Sequence, residues 1–333
     1  MTTIIEIKRL IVRSWKSAIV TCLSLALLCS CTPDHTKQVT ILNTEIKQIT
    51  AIANNVKYKL FISLPEGYNS DANNVKYKLF ISLPEGYNSD GHHSYRESYP
   101  VLYLLDPDVE FGLAENIART MVNYDNIEPF IIVGIGYQDQ DLSTMDSKTF
   151  WDKWTQNRAR DYIPIQVSAG REDFEGGDHE YKGLSAHTGG SQKFKDFIEK
   201  ELIPYIDSSY RTSNERALSG HSLGGLFTTW MMLNHPSVFE KYIILGPSLW
   251  VEKGQMTKQA NKLQSSAKIT AYFAVGSKEH DANRSMVDEV KLFYSDLPKS
   301  KNFKSKLEII DDENHVSMVP ASLTKAFKFL FGK

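Results

Sequence analysis

The stretch Arg216-Ala217-Leu218-Ser219-Gly220-His221-Ser222-Leu223-Gly224-Gly225 sets a serine between glycines two residues before and two after it. A serine hydroxyl is a weak nucleophile at neutral pH until a base takes its proton. The spacing suits a sharp strand-to-helix turn, in which small residues relieve backbone crowding and the serine is thrust outward. Ala217–Ser219 reads as the strand and Leu226–Asn234 as the helix that follows. At a helix N-terminus, free N–H groups favour developing negative charge. The chemistry implied is acyl transfer through Ser222, with the N–H of Leu223 facing the oxyanion.

The partners of such a serine follow it in the order acid, then histidine. Three histidines follow Ser222: His235, His280 and His315. His235 precedes Pro236 at a helix end, and His280 adjoins the candidate acids. His315 lies in Asp311-Asp312-Glu313-Asn314-His315, between the last strand and the closing helix, and is the expected base. The acid belongs after the strand Ile269–Val275, in Gly276-Ser277-Lys278-Glu279-His280-Asp281. Glu279 is the first choice, ahead of Asp281 and Asp288. A second oxyanion donor is expected in Asp106-Pro107-Asp108. Pro107 has no N–H, so Asp108 is preferred, with Val109 behind it.

These residues need a scaffold. Val101–Leu105, Phe130–Ile135, Tyr242–Leu245 and Ile269–Val275 are short apolar runs of buried-strand type, and Lys306–Ile310 is a further strand. Glu110–Asn123, Lys193–Tyr205, Ser285–Leu297 and Val319–Phe331 read as helices. Strands alternating with helices predict an α/β domain, with a mainly parallel sheet covered on both faces. Residues 137–190 are polar and rich in Asp, Gly and His, and read as a long loop-like insertion of functional type. Asp178-His179-Glu180 and His92-His93 lack helical i, i+4 spacing and a distant partner, so no metal is expected.

The chain has 333 residues, of which 41% are hydrophobic and 23% charged, as in folded globular proteins. Its 38 basic and 40 acidic residues leave a net charge of −2, which disfavours nucleic acid as a partner. Lys8, Arg9, Arg13 and Lys16 precede an apolar stretch, Ala18–Leu28, too short to span a bilayer comfortably. It ends in Leu28-Cys29-Ser30-Cys31, which resembles a bacterial lipoprotein box with Cys31 as the lipidated residue. The expectation is a signal peptide over 1–30, a tether and first strand over 31–52, and the hydrolase domain over 53–333. The three cysteines are Cys22, Cys29 and Cys31, so cleavage before Cys31 leaves one, at the new N-terminus. Two or more acyl chains there give stable membrane anchoring. The expected location is the cell envelope, facing the periplasm.

Ala53–Asp71 and Ala72–Asp90 are identical, residue for residue. Each copy carries a near-alternating strand pattern followed by Pro-Glu-Gly. The second copy lies nearer the rest of the domain, so Val75–Leu83 is the expected native strand.

From about residue 54 to its end the chain resembles the esterase D-type hydrolases of the α/β-hydrolase superfamily, which include siderophore esterases. The resemblance rests on YPVLYLLD (99–106), NRARDYIP (157–164), GGSQKFKDFIEKELIPYID (189–207), SGHSLGG (219–225), GPSLW (246–250) and ENHVSMVPASL (313–323). It implies the α/β-hydrolase fold, hydrolysis of a small-molecule ester, and no metal or organic cofactor. Ser222 and His315 carry over as nucleophile and base. Some of these esterases manage with a Ser-His pair, which leaves the part of Glu279 open. Pro107 departs from the glycine usual after the aspartate. The region 150–190 is expected to shape the pocket, with Arg158, Arg160 and Tyr162 binding an anionic or aromatic acyl group and Trp250 lining it. Acyl transfer on the same fold and a non-catalytic envelope binding protein are the alternatives.

Overall fold

The computed structural model describes residues 44–50, 57–63, 81–84, 87, 96–137, 140, 145–175, 181–261, 263, 268–280 and 284–333. Cys31 and the leader, Asp281, His92-His93 and Asp178-His179-Glu180 lie outside them.

Among the described residues nine strands form one sheet: β1 (Thr44–Thr50), β2 (Lys57–Ser63), β3 (Ile81–Ser82), β4 (Tyr99–Leu105), β5 (Ile131–Tyr137), β6 (Thr212–His221), β7 (Lys241–Leu245), β8 (Ile269–Gly276) and β9 (Phe303–Ile310). The order is β1-β2-β5-β4-β6-β7-β8-β9, with β3 also on β5. From β5 to β9 every pairing is parallel, while β1, β2 and β3 join antiparallel at one edge. Among the described residues the helices longer than one turn are α1 (Pro107–Asn123), α2 (Ser147–Tyr162), α3 (Ser191–Phe197), α4 (Ile203–Ser209), α5 (Leu223–Asn234), α6 (Gln255–Ala260), α7 (Met286–Ser295) and α8 (Met318–Phe331). A π turn over Ile198–Leu202 joins α3 to α4. This is the expected α/β-hydrolase architecture.

Side chains of a strand point alternately to opposite faces, and both faces here are covered. In β4, Leu102 and Leu104 face a core built with α1 and α8, through Phe111, Ala114, Phe327 and Leu330. Val101, Tyr103 and Leu105 face a second core with α2, α3 and α5, through Tyr162, Phe194 and Phe227. The central strands are therefore continuously apolar, which is what made them legible.

The expected insertion is corrected in part. Residues 147–162 form the four-turn helix α2, begun by Asp146, whose side chain accepts the Thr149 N–H at 3.0 Å. Its polarity hides its burial: Asp161, 1% exposed, is ion-paired to Arg160.

Of the expected strand Val75–Leu83, residues 75–80 lie outside the described residues, and Ile81–Ser82 is a strand. Among the described residues, β2 comes from the first copy and β3 from the second. Both lie on β5. Leu60 and Phe61 stand opposite Ile135 and Gly134, and Ile81 and Ser82 opposite Val133 and Ile132. Ile81 is the repeat equivalent of Ile62, so the second copy continues the pairing in the register where the first leaves it.

Candidate active site

β4 is flanked by β5 on one side and β6 on the other, and the direction of winding reverses there. Ligands in such sheets bind beyond the carboxyl ends of the strands at this switch point. Asp106 follows β4 and Ser222 follows β6, so both stand at its edge.

Ser222 has φ 61° and ψ −118°, a conformation rarely populated by a residue with a Cβ. It is held by its N–H, which donates to Leu245 O at 2.9 Å, and by its carbonyl, which accepts from Leu226 and Ser248. Its side chain makes no capping hydrogen bond to α5, although it stands at the N-cap. A Cβ on Gly220 would stand 2.2 Å from Gly224 O, so the turn closes only without one. Leu223 is the first residue of α5, where no preceding carbonyl of the helix serves its N–H.

His315 and Glu279 meet at the same edge. Gly276, at the end of β8, donates its N–H to Glu279 Oε1 at 2.6 Å. Glu279 Oε2 lies 2.5 Å from His315 Nδ1, and the Glu279 side chain is fully buried. Gly246, at φ +43°, faces this pair: a Cβ there would come within 3.0 Å of Glu279 Oε2. The carboxylate therefore fixes the imidazole with its proton on Nδ1, leaving Nε2 as the basic nitrogen. His235 packs edge-on against Trp230, His280 is exposed, and Asp288 lines a separate cleft with Arg284 and Lys258.

A cavity of about 640 Å³ opens over these groups and holds Ser222, His315, Asp106, Glu110, His221 and Arg158. Its walls are Trp151, Trp154, Tyr181 and Trp250, and its rim carries Val109, Val316 and Pro320. Arg158 is 2% exposed and donates from Nε and Nη2 to the two oxygens of Asp106, at 2.9 and 3.1 Å. Its guanidinium lies 3.9 Å from the ring centre of Trp154. Burial pushes the Asp106 carboxyl up, and Arg158 opposes that shift.

The expected binding residues divide by helix geometry. Trp151, Trp154 and Arg158 are three and four residues apart and share the face of α2 that looks into the cavity. Arg160 and Tyr162 do not reach it. Arg160 binds Asp161 and Asn157, and Tyr162 is fully buried against Phe194 and Phe227. Trp250 lines the cavity as expected. Asp108, the expected second oxyanion donor, sits in the first turn of α1 and is not part of the lining, whereas Val109 and Glu110 are. Sequence reasoning missed Trp151 and Trp154 as lining residues; their i, i+3, i+7 spacing with Arg158 is the signal that could have found them.

Comparison with known proteins agrees with this architecture. The chain is 29% identical over 243 residues to the ferri-bacillibactin esterase BesA of Bacillus subtilis, covering 69% of this chain and 78% of the relative. It is 27% identical over 265 residues to the siderophore enterobactin esterase of Emericella nidulans, covering 70% and 82%. The BES protein of Bacillus cereus shares the fold, with a TM-score of 0.69 at 24% identity over 89% of this chain and 99% of that one. The family described as "Putative esterase" matches residues 142–324, more than half of the chain. The chain belongs to this esterase family and is a carboxylic ester hydrolase.

Proposed function

We propose that the chain is a serine esterase that works through an acyl-enzyme. The reading is carried by one observation: the buried Glu279 holds His315 by Nδ1 at the rim of the cavity that contains Ser222. His315 Nε2 takes the proton of Ser222 as its Oγ attacks the ester carbonyl. The Leu223 N–H and the N-terminus of α5 stabilise the oxyanion. His315 then gives the proton to the departing alkoxide, and water activated by the same nitrogen releases the acid.

The substrate is an ester of an aromatic acid, of the siderophore class. The tryptophan walls offer faces for stacking, Arg158 packs its guanidinium on Trp154 and holds that wall in place, and the curated relatives carry siderophore esterase names. The protein works in the cell envelope, lipidated at Cys31 and facing the periplasm, as the motif at 28–31 suggests.

Three assays test this. Ser222→Ala is expected to lose at least ~10³-fold in kcat on p-nitrophenyl acetate, and wild-type activity in that variant refutes the mechanism. A ferric catecholate triester, cleaved faster than short alkyl esters, supports the substrate class, and preference for acetate over all aryl acids overturns it. Cys31→Ser is expected to move the protein from the membrane to the soluble fraction, and unchanged fractionation refutes the anchor.

A further inference from the structure

The residue before the serine is a histidine, and nothing in the proposed ester chemistry uses it. The His221 side chain is only 13% exposed, and both its ring nitrogens are engaged. Nε2 lies 2.7 Å from the main-chain carbonyl of His315, and Nδ1 lies 3.3 Å from Glu110 Oε1. The rings of His221 and His315 stand 4.6 Å apart, inclined by 39°.

We propose that Glu110 and His221 are positioning residues for His315: Glu110, as the neutral acid, donates to Nδ1 of His221, whose Nε2–H donates to the His315 carbonyl. This rests on the reading of His315 as the general base. A carbonyl only accepts, so Nε2 carries a proton. In the neutral ring Nδ1 is then an acceptor, and Glu110 must supply the hydrogen. Glu110 is 4% exposed and its Oε2 makes no hydrogen bond, a setting that penalises the carboxylate. Burial pushes Glu110 up to about 8. Burial, with His315 and Arg158 nearby, pushes His221 down to about 3. The charged and titratable groups facing Glu110 are Arg158 of α2, His221 of β6, His315 before α8 and Asp106 at the start of its own helix.

Two protons thus serve two contacts. Loss of one breaks either the bond to Glu110 or the bond to the His315 carbonyl, whichever tautomer His221 takes. The loop bearing the base is then released from the turn bearing the nucleophile.

The test compares wild type, Glu110→Gln and Glu110→Leu on p-nitrophenyl acetate from pH 5.5 to 9.5, with kcat and KM resolved. Wild-type kcat is expected to fall on the alkaline side with a midpoint near 8, where Glu110 ionises. Glu110→Gln keeps a donor that does not ionise, so it is expected to hold kcat within about threefold at pH 7 and to lose that alkaline fall. Glu110→Leu is expected to lose about 10- to 100-fold in kcat with KM little changed, the scale of a lost orienting hydrogen bond. An alkaline fall retained in Glu110→Gln, or wild-type kcat in Glu110→Leu, overturns the proposal. If Glu110→Leu does not fold, the profile of Glu110→Gln decides alone. His315→Ala separates the two readings. Activity there refutes the serine mechanism, whereas a dead His315→Ala beside a wild-type Glu110→Leu refutes only the part of Glu110.

Discussion

The pair Asp106–Arg158 invites a double-mutant cycle. Both side chains are 2% exposed and their bonds are bidentate, so solvent does not screen them. Removing one partner leaves the other charge buried and unpaired, which costs ~3–5 kcal/mol in such sites. Asp106→Asn and Arg158→Met are each expected to lose that much stability, Arg158→Met somewhat more because its guanidinium also covers Trp154 at 3.9 Å. The double variant has no unpaired charge. It is expected to lie within about 2 kcal/mol of wild type, far above the sum of the single losses. Urea unfolding with an unchanged slope measures all four corners. Single losses below ~1 kcal/mol, the range of exposed pairs, would show that the pair is hydrated and refute the reasoning. So would a double variant that falls by the full sum.

Further predictions follow from the same site. Glu279→Gln is expected to lower kcat by ~10²–10⁴ with little change in KM, because the amide no longer fixes the Nδ1–H tautomer of His315; steady-state kinetics on p-nitrophenyl acetate check it. Trp154→Ala is expected to raise KM for a feruloyl ester more than for an acetyl ester, which a substrate panel reads directly. The stability of the fold should also depend on pH through Glu110 and His221. Glu110 is raised from 4.5 to about 8, so between these values the native state binds the extra proton and stability falls as pH rises. His221 is lowered from 6.5 to about 3, so over that span the unfolded chain binds the extra proton and stability rises with pH. The two slopes oppose each other from 4.5 to 6.5 and leave Glu110 alone above that. Glu252, raised by burial to about 7, adds a fall that ends near that pH. Wild type should therefore lose stability from about pH 6.5 to about pH 8, and Glu110→Gln should lack the part of that fall between about pH 7 and about pH 8, by urea melts at each pH.

The strands were legible where both faces of the sheet are covered: β4 and β5 are buried along their whole length, and β7 and β8 are polar only at Lys241 and Thr270, near their starts. β6 was read as three residues but has ten, because its first half is partly exposed and polar and shows no core pattern. The turn around Ser222 was legible because steric crowding there admits few residue types, and the 2.2 Å approach at Gly220 is that crowding. His315 and Glu279 were placed by loop position, and the structure brings them together. α2 was hidden because it buries charges in pairs, which hydropathy reads as surface. Arg160 and Tyr162 were assigned to the cavity by residue type, and the helical turn sends them elsewhere.

The shared register of the two copies on β5 has a genetic consequence. Because Ala53–Asp71 and Ala72–Asp90 are identical, removing any nineteen consecutive residues that begin between 53 and 72 yields one and the same protein. In that shorter chain Phe61 runs straight into an isoleucine opposite Val133, the partner Ile81 already has. A single slippage or recombination event between the copies would thus erase the repeat without changing which residue types stand opposite Val133 and Ile132 on β5. Either length of chain would carry the same serine turn, far along the sequence from the repeat.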